Sequence, residues 1–83
     1  MMRPLVLVAF LCMVAAPAKA DRPVTDAERE KLVPAVAAQG CSGGKMQWDD
    51  GHYEVDDATC RDGRKYDLKF DAQFRLIKKE LED

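Results

Sequence analysis

The chain has 83 residues, 47% of them hydrophobic and 34% charged, with 13 Lys and Arg against 15 Asp and Glu and a formal net charge of −2. That length holds one core and not two. An acidic balance supplies neither the basic face that nucleic acid calls for nor the cationic surface that anionic membranes attract.

Arg3 provides a positive start, Leu5 to Ala16 is an apolar run, and Ala18-Lys19-Ala20 is a small-x-small cleavage motif. Residues 1–20 therefore read as a signal peptide, with cleavage before Asp21 and residues 21–83 as the exported domain. The apolar stretch from Pro4 to Ala18 falls short of the roughly 18 residues that a membrane span requires; an uncleaved anchor is the competing reading. Cys12 leaves with the leader, because Leu11 stands where a lipoprotein signal needs a small residue. Removing Arg3 and Lys19 leaves 11 basic residues against 15 acidic ones, a net charge of −4. The expected location is periplasmic or secreted, with no membrane association after cleavage.

The exported part retains two cysteines, Cys41 and Cys60. In an oxidising compartment an even pair closes, and with two there is one connectivity. They are not spaced as C-x-x-C, and no helix N-terminus activates either one, so a structural disulfide is expected over a redox couple.

Asp21 to Val24 reads as an extended arm. Thr25-Asp26-Ala27-Glu28 is a capping box, with Thr25 as N-cap and Glu28 at the third helical position. The helix is expected from Asp26 to Gln39, burying Leu32, Val36 and Gln39 with Val33, Ala35 and Ala37 on the flanks. Pro34 removes one backbone bond from its interior, so a bend or a break into two short turns is expected there. Gly40 ends the helix, and Ser42-Gly43-Gly44 reads as a flexible connector.

A first strand follows over Lys45 to Asp49, and Asp50-Gly51 makes a two-residue type I′ turn. That turn places Trp48 opposite Tyr53 and Met46 opposite Val55, apolar against apolar. Extending the ladder places Cys41 opposite Cys60. The second strand, His52 to Cys60, faces inward with Tyr53 and Val55 and again with Ala58 and Cys60; that change of parity needs an extra residue, so a β-bulge is expected near Asp56-Asp57. Arg61-Asp62-Gly63 is a three-residue loop with Gly63 left-handed. The third strand, Arg64 to Phe70, alternates cleanly, with Tyr66, Leu68 and Phe70 inward. Asp71-Ala72-Gln73 is the last turn. A fourth strand runs from Phe74 to Lys79 with Phe74 and Leu76 inward, Ile77 under the sheet edge, and Lys78, Lys79 and Glu80 as a charged edge that resists pairing. The fold class is α+β: one N-terminal helix on a four-stranded antiparallel β-meander with one disulfide.

Chemistry is thinly signalled. His52, with Asp49, Asp50 and Glu54 nearby, is one nitrogen ligand among turn carboxylates; an exposed hairpin residue is the plainer reading, and a metal- or small-ligand-responsive protein is the alternative it leaves open. Asp56-Asp57 reads as an exposed bulge and not as a catalytic pair. Trp48 and Tyr53 read as a cross-strand aromatic pair beneath the helix and not as a binding spot. With nucleophile, base and pocket all missing, no enzyme and no cofactor are expected. The broad surface left open is the charged sheet face of Lys45, Gln47, Glu54, Lys65, Asp67 and Lys69, the candidate binding face.

Gln39-Gly40-Cys41, then Gly51-His52-Tyr53-Glu54-Val55-Asp56-Asp57, Cys60, Asp62-Gly63 and Tyr66-Asp67-Leu68-Lys69-Phe70-Asp71 together resemble the PepSY family, found in metallopeptidase propeptides and in small periplasmic proteins. Phe74, where a glycine often follows the last Asp, and Pro34 within the helix depart from the pattern. The resemblance implies a helix on a small antiparallel sheet and a non-catalytic module that binds or inhibits a peptidase or another protein partner. A monomer is expected.

Overall fold

The computed structural model describes residues 21–82; the segment expected to be a signal peptide, with its small-x-small motif and Cys12, lies outside them. Among the described residues no helix is long and apolar enough to cross a membrane. The elements are β1 (Arg22–Pro23), α1 (Asp26–Ala38), β2 (Cys41–Ser42), β3 (Lys45–Asp49), β4 (His52–Cys60), β5 (Lys65–Phe70) and β6 (Leu76–Leu81). They form one antiparallel sheet in the order β1-β3-β4-β5-β6, with β2 also pairing β4. The α+β class holds, but the sheet has six strands where four were expected. The two additions are the arm, whose Arg22 and Pro23 lie opposite Trp48 and Gln47, and the segment after the helix, where Cys41 lies opposite Cys60. Cys41 and Cys60 are disulfide-bonded.

The ladder of the first hairpin follows the sequence, with Trp48 opposite Tyr53 and Met46 opposite Val55. Asp50 and Gly51 both have positive φ, 50° and 93°, as a type I′ turn demands. Between β4 and β5 the register slips between Val55 and Ala58, and Asp57 takes φ 61°. This bulge lets Tyr53, Val55, Ala58 and Cys60 all point into the core. Phe70, Leu32, Leu68, Val36 and Val55 are the largest fully buried side chains.

The last hairpin departs from expectation. Asp71 Oδ1 accepts from the backbone N–H groups of Gln73 and Arg75, and its Oδ2 accepts from Arg75 Nε. The turn is thereby held open to Arg75, and Phe74 sits in it with φ 65° instead of starting a strand. Its ring is held by stacking on Tyr53, centroids 4.9 Å apart. A second register shift opposite Phe70 follows, and Ile77 stands 56% exposed rather than under the sheet edge.

α1 runs through Pro34 as one 13-residue helix and does not break. One lost backbone bond is tolerated because tertiary packing holds the helix at both ends. Leu32 and Val36 are its buried residues, Gln39 and Ala35 are half-buried, and Val33 and Ala37 are exposed. The buried stripe is thus narrower than the sequence pattern implies, since the sheet beneath is only a few strands wide.

At the N-terminus the capping box forms, with Glu28 N–H donating to Thr25 Oγ1 and Thr25 N–H to Glu28 Oε1. The Glu28 carboxylate also accepts both guanidinium N–H groups of Arg22, at 2.9 and 3.0 Å, and the Tyr53 hydroxyl at 2.7 Å. One carboxylate thus joins β1, α1 and β4. The Arg22 hydrogen bonds, then the Thr25 N–H, hold its pKa far below the usual carboxylate range. A depressed pKa stabilises the fold above the unfolded-state value and ceases to do so as pH falls through it. The stabilising pair is therefore fully present at neutral pH and weakens progressively below about pH 4.5. Glu28→Ala is expected to cost about 1–3 kcal/mol in urea denaturation at pH 7 by removing a cap and orphaning the Tyr53 hydroxyl. The cost should shrink at pH 3; an equal cost at both values would show that the carboxylate charge contributes nothing.

Candidate functional site

The helix covers one face of the sheet and leaves the other open. Alternation within β3, β4, β5 and β6 decides which side chains stand there. Register places Gln47, Glu54, Lys69 and Lys78 in one row across four strands, next to a second row of Lys45, Asp56, Asp67 and Glu80 that the bulge offsets. All six residues of the expected binding face, Lys45, Gln47, Glu54, Lys65, Asp67 and Lys69, stand on this side of the sheet. They do not all converge. A shallow hollow of about 220 Å³ is lined by Glu54, Asp56, Asp67, Lys69, Lys78 and Glu80 over the backbone of Leu68. Glu54, Asp67 and Lys69 thus meet, whereas Lys45, Gln47 and Lys65 lie beside the hollow.

Sequence reading did not place Asp56, Lys78 and Glu80 in this group. The bulge lies at Asp56-Asp57 as the sequence implies, but Asp56 keeps its place opposite Lys45 and so stands on the open face, while Asp57 takes the positive φ. The parity of β6 becomes readable only once the extra residue at Ile77 is known; counted from Phe74, Lys78 and Glu80 fall on the wrong side.

Charge alternates across the hollow. Lys69 Nζ lies 3.9 Å from Glu54 Oε2, and Lys78 Nζ 3.6 Å from Glu80 Oε2. Such exposed pairs contribute little to stability, so their value is as a patterned surface. The acidic members outnumber the basic ones toward the bulge. Burial, and then the charges of Asp67, Glu54 and Asp57, raise the pKa of Asp56. At the end of β6, a hydrogen bond with Asp57 and the carboxylates around it push Glu82 up to about 7.

Two groups of ligand-type side chains lie together: Asp49, His52 and Glu54, and Asp57, Asp67 and Glu82. Neither is laid out for a cation. Glu54 Oε2 already has His52 Nε2 at 3.2 Å and Lys69 Nζ at 3.9 Å. Asp67 Oδ1 accepts from Asp57 N–H. The first group is a hydrogen-bonded hairpin end, and the second an acidic edge beside the bulge.

On the covered side the aromatic residues are structural. Trp48 packs edge-on to Tyr53, centroids 4.7 Å apart, with the Arg22 guanidinium over its ring at 5.4 Å. Lys79 also lies on this side: Nζ stands 4.9 Å from the Tyr66 ring centroid and donates to Gln39 O at 3.4 Å. It supplies the cation that the last turn of α1 lacks. Its expected role in a charged outer edge is thus replaced by a helix C-cap.

A family model described as peptidase propeptide and YPEB domain (PepSY_2) matches residues 4–80. No curated protein and no solved structure matches the chain.

Proposed function

The chain belongs to the peptidase propeptide and YPEB domain family, and on that premise we propose that it is a small exported, non-catalytic module that binds a protein partner, a peptidase in the first instance, through its open sheet face. Domains of this family are generally propeptide or regulatory modules without catalytic machinery of their own. The observation that carries the reading is the uncovered face itself: four strands bearing alternating Lys and carboxylate side chains around a shallow hollow, opposite a face closed by the helix and the disulfide. Charge patterning of this kind sets the orientation and rate of association more than its strength. A hollow of about 220 Å³ is small for a metabolite pocket, since such pockets run from about 300 Å³ upward. It suits one or two side chains of a docked protein.

The oxidised protein, immobilised and exposed to periplasmic extract, is expected to retain a peptidase or its precursor. Reversing the row with Glu54→Lys and Lys69→Glu should reduce retention by about tenfold while leaving the thermal transition in place, because both residues lie outside the core. If the reversed protein captures the same partners as strongly, or if neither captures any, the proposal fails.

A further inference from the structure

The edge strand β6 carries two of the large hydrophobic side chains that stand in solvent, Ile77 at 56% and Leu81 at 45% exposed. Among the described residues no strand covers its outer side. We propose that the occupant of this edge is a second copy of the same strand, paired antiparallel about a two-fold axis at Lys79.

Three features of the strand converge on that register. The first is backbone direction. Glu82 N–H donates to Lys65 O, so in an antiparallel ladder Glu82, Glu80 and Lys78 turn their backbone groups toward β5, and Leu81, Lys79 and Ile77 turn theirs outward. An incoming antiparallel strand must place outward-facing residues opposite one another. Centring on Lys79 uses all three, giving Ile77 against Leu81, Lys79 against Lys79 and Leu81 against Ile77, about six backbone bonds in all.

The second feature is charge. In this register Lys78 lies opposite the Glu80 of the second copy, and Glu80 opposite its Lys78. Sliding by one permitted step in either direction sets Lys78 against Lys78 or Glu80 against Glu80, which cross-strand pairing disfavours. The side chains available for those pairs are exposed, 54% for Lys78 and 61% for Glu80.

The third feature is the axis. Two lysines facing each other would repel, but Lys79 is folded back over the Tyr66 ring onto the helix C-terminus. Its charge is directed away from the seam while its backbone groups remain available. The apolar pairs of Ile77 and Leu81 then flank the axis on the helix side. The composition of β6 reads as a charged edge that resists pairing; the order of its residues is self-complementary.

A contact of six residues a side is small and lies at the weak end of protein interfaces, so the dimer forms in the micromolar range or above. It is independent of the proposed peptidase-binding role, and its test uses no partner. Sedimentation and ¹⁵N NMR of the oxidised protein up to millimolar concentration should show reversible dimerisation with amide shifts concentrated on β6. Lys78→Glu alone and Glu80→Lys alone each create like-charge pairs twice per dimer, and each should weaken self-association on the order of tenfold. An equimolar mixture of the two variants restores opposite charges across the seam and should associate at least as tightly as the parent. Ile77→Lys, which alters no bond to β5, should abolish dimerisation without lowering the thermal transition. A protein that stays monomeric at millimolar concentration overturns the proposal. So does a dimer whose strength is the same in the parent, each single variant and their mixture, since its contact then lies elsewhere.

Discussion

Reduction of the Cys41–Cys60 bridge is expected to lower the stability of the domain by about 3 kcal/mol, the chain-entropy value for a closed ring of some 20 residues. In a domain of this size each kcal/mol moves the thermal midpoint by about 4–8 °C, so the shift is roughly 12–24 °C. The core of so small a domain supplies only about 3–5 kcal/mol beyond its costs, so the bridge is comparable with everything else that holds the fold, and its loss leaves a marginal domain. Position makes the bridge more than a generic crosslink. Cys41 stands two residues after the helix C-cap Gln39 and lies opposite Cys60, where β4 ends. The same corner is held by Arg61 N–H donating to Gly40 O. The helix N-terminus is anchored separately through Glu28, so loss of the bridge frees the C-terminal half of α1 first. Amide exchange on reduction should therefore rise earlier at residues 36–42 than at residues 25–30. Thermal denaturation with and without reductant checks the magnitude, and Cys41→Ser/Cys60→Ser gives a covalent control. Indifference of the midpoint to reductant would show that the sheet retains its lid by packing alone.

The parts of the fold that could be read in the sequence are those governed by strict alternation. Met46, Trp48, Tyr53 and Val55 determine the first hairpin because a one-residue slip would turn the pair on one strand to solvent while the pair on the other stayed in the core. The bulge near Asp57 was forced by parity, and the capping box by its own residues. What could not be read depends on contacts remote in sequence. Arg22-Pro23 is too short to carry a period. It becomes a strand because Arg22 is held at once by Glu28 and by the Trp48 ring. Phe74 belongs to a turn because Asp71 binds three groups of the residues that follow, and no local propensity places an aromatic residue at positive φ. The parity of β6 changes later still, at the extra residue Ile77 beside the Leu76–Phe70 pair, and from it came the omission of Lys78 and Glu80 from the open face. The candidate face was thus half readable: its first three strands follow from period two, and its fourth from an extra residue at Ile77 that only the folded chain shows.

Gly44→Ala is expected to be the most damaging single methyl in the molecule, and the reason lies in how two neighbouring strands share one irregularity. Lys45 to Asp49 pairs with Asp56 to His52 on one side of the bulge, and Cys41-Ser42 pairs with Cys60-Thr59 on the other, without any change of register. The extra residue in β4 must therefore be matched by an extra residue in the chain beside it, or the disulfide partners would miss each other. Gly43-Gly44 provide it, both at positive φ, 70° and 93°. What reads in the sequence as a flexible connector is the complement of the bulge. Gly44 also faces inward: a Cβ there would stand 2.8 Å from Val55 Cγ1, 2.9 Å from Asp56 O and 3.2 Å from Ala58 Cα. Val55 and Ala58 are fully buried and cannot withdraw. A Cβ at Gly43 would meet nothing within 4 Å. Both substitutions incur the left-handed backbone penalty of about 1–2 kcal/mol, but only Gly44→Ala adds overpacking of about 1–3 kcal/mol. Gly44→Ala is expected to cost roughly 3 kcal/mol or more and Gly43→Ala about half as much, each measured by urea denaturation of the oxidised protein. The difference between the two isolates the steric contribution from the backbone one. Equal costs would mean that β4 and its neighbour do not close on each other at the bulge, and the continuous ladder that brings Cys41 to Cys60 would then lack its central support.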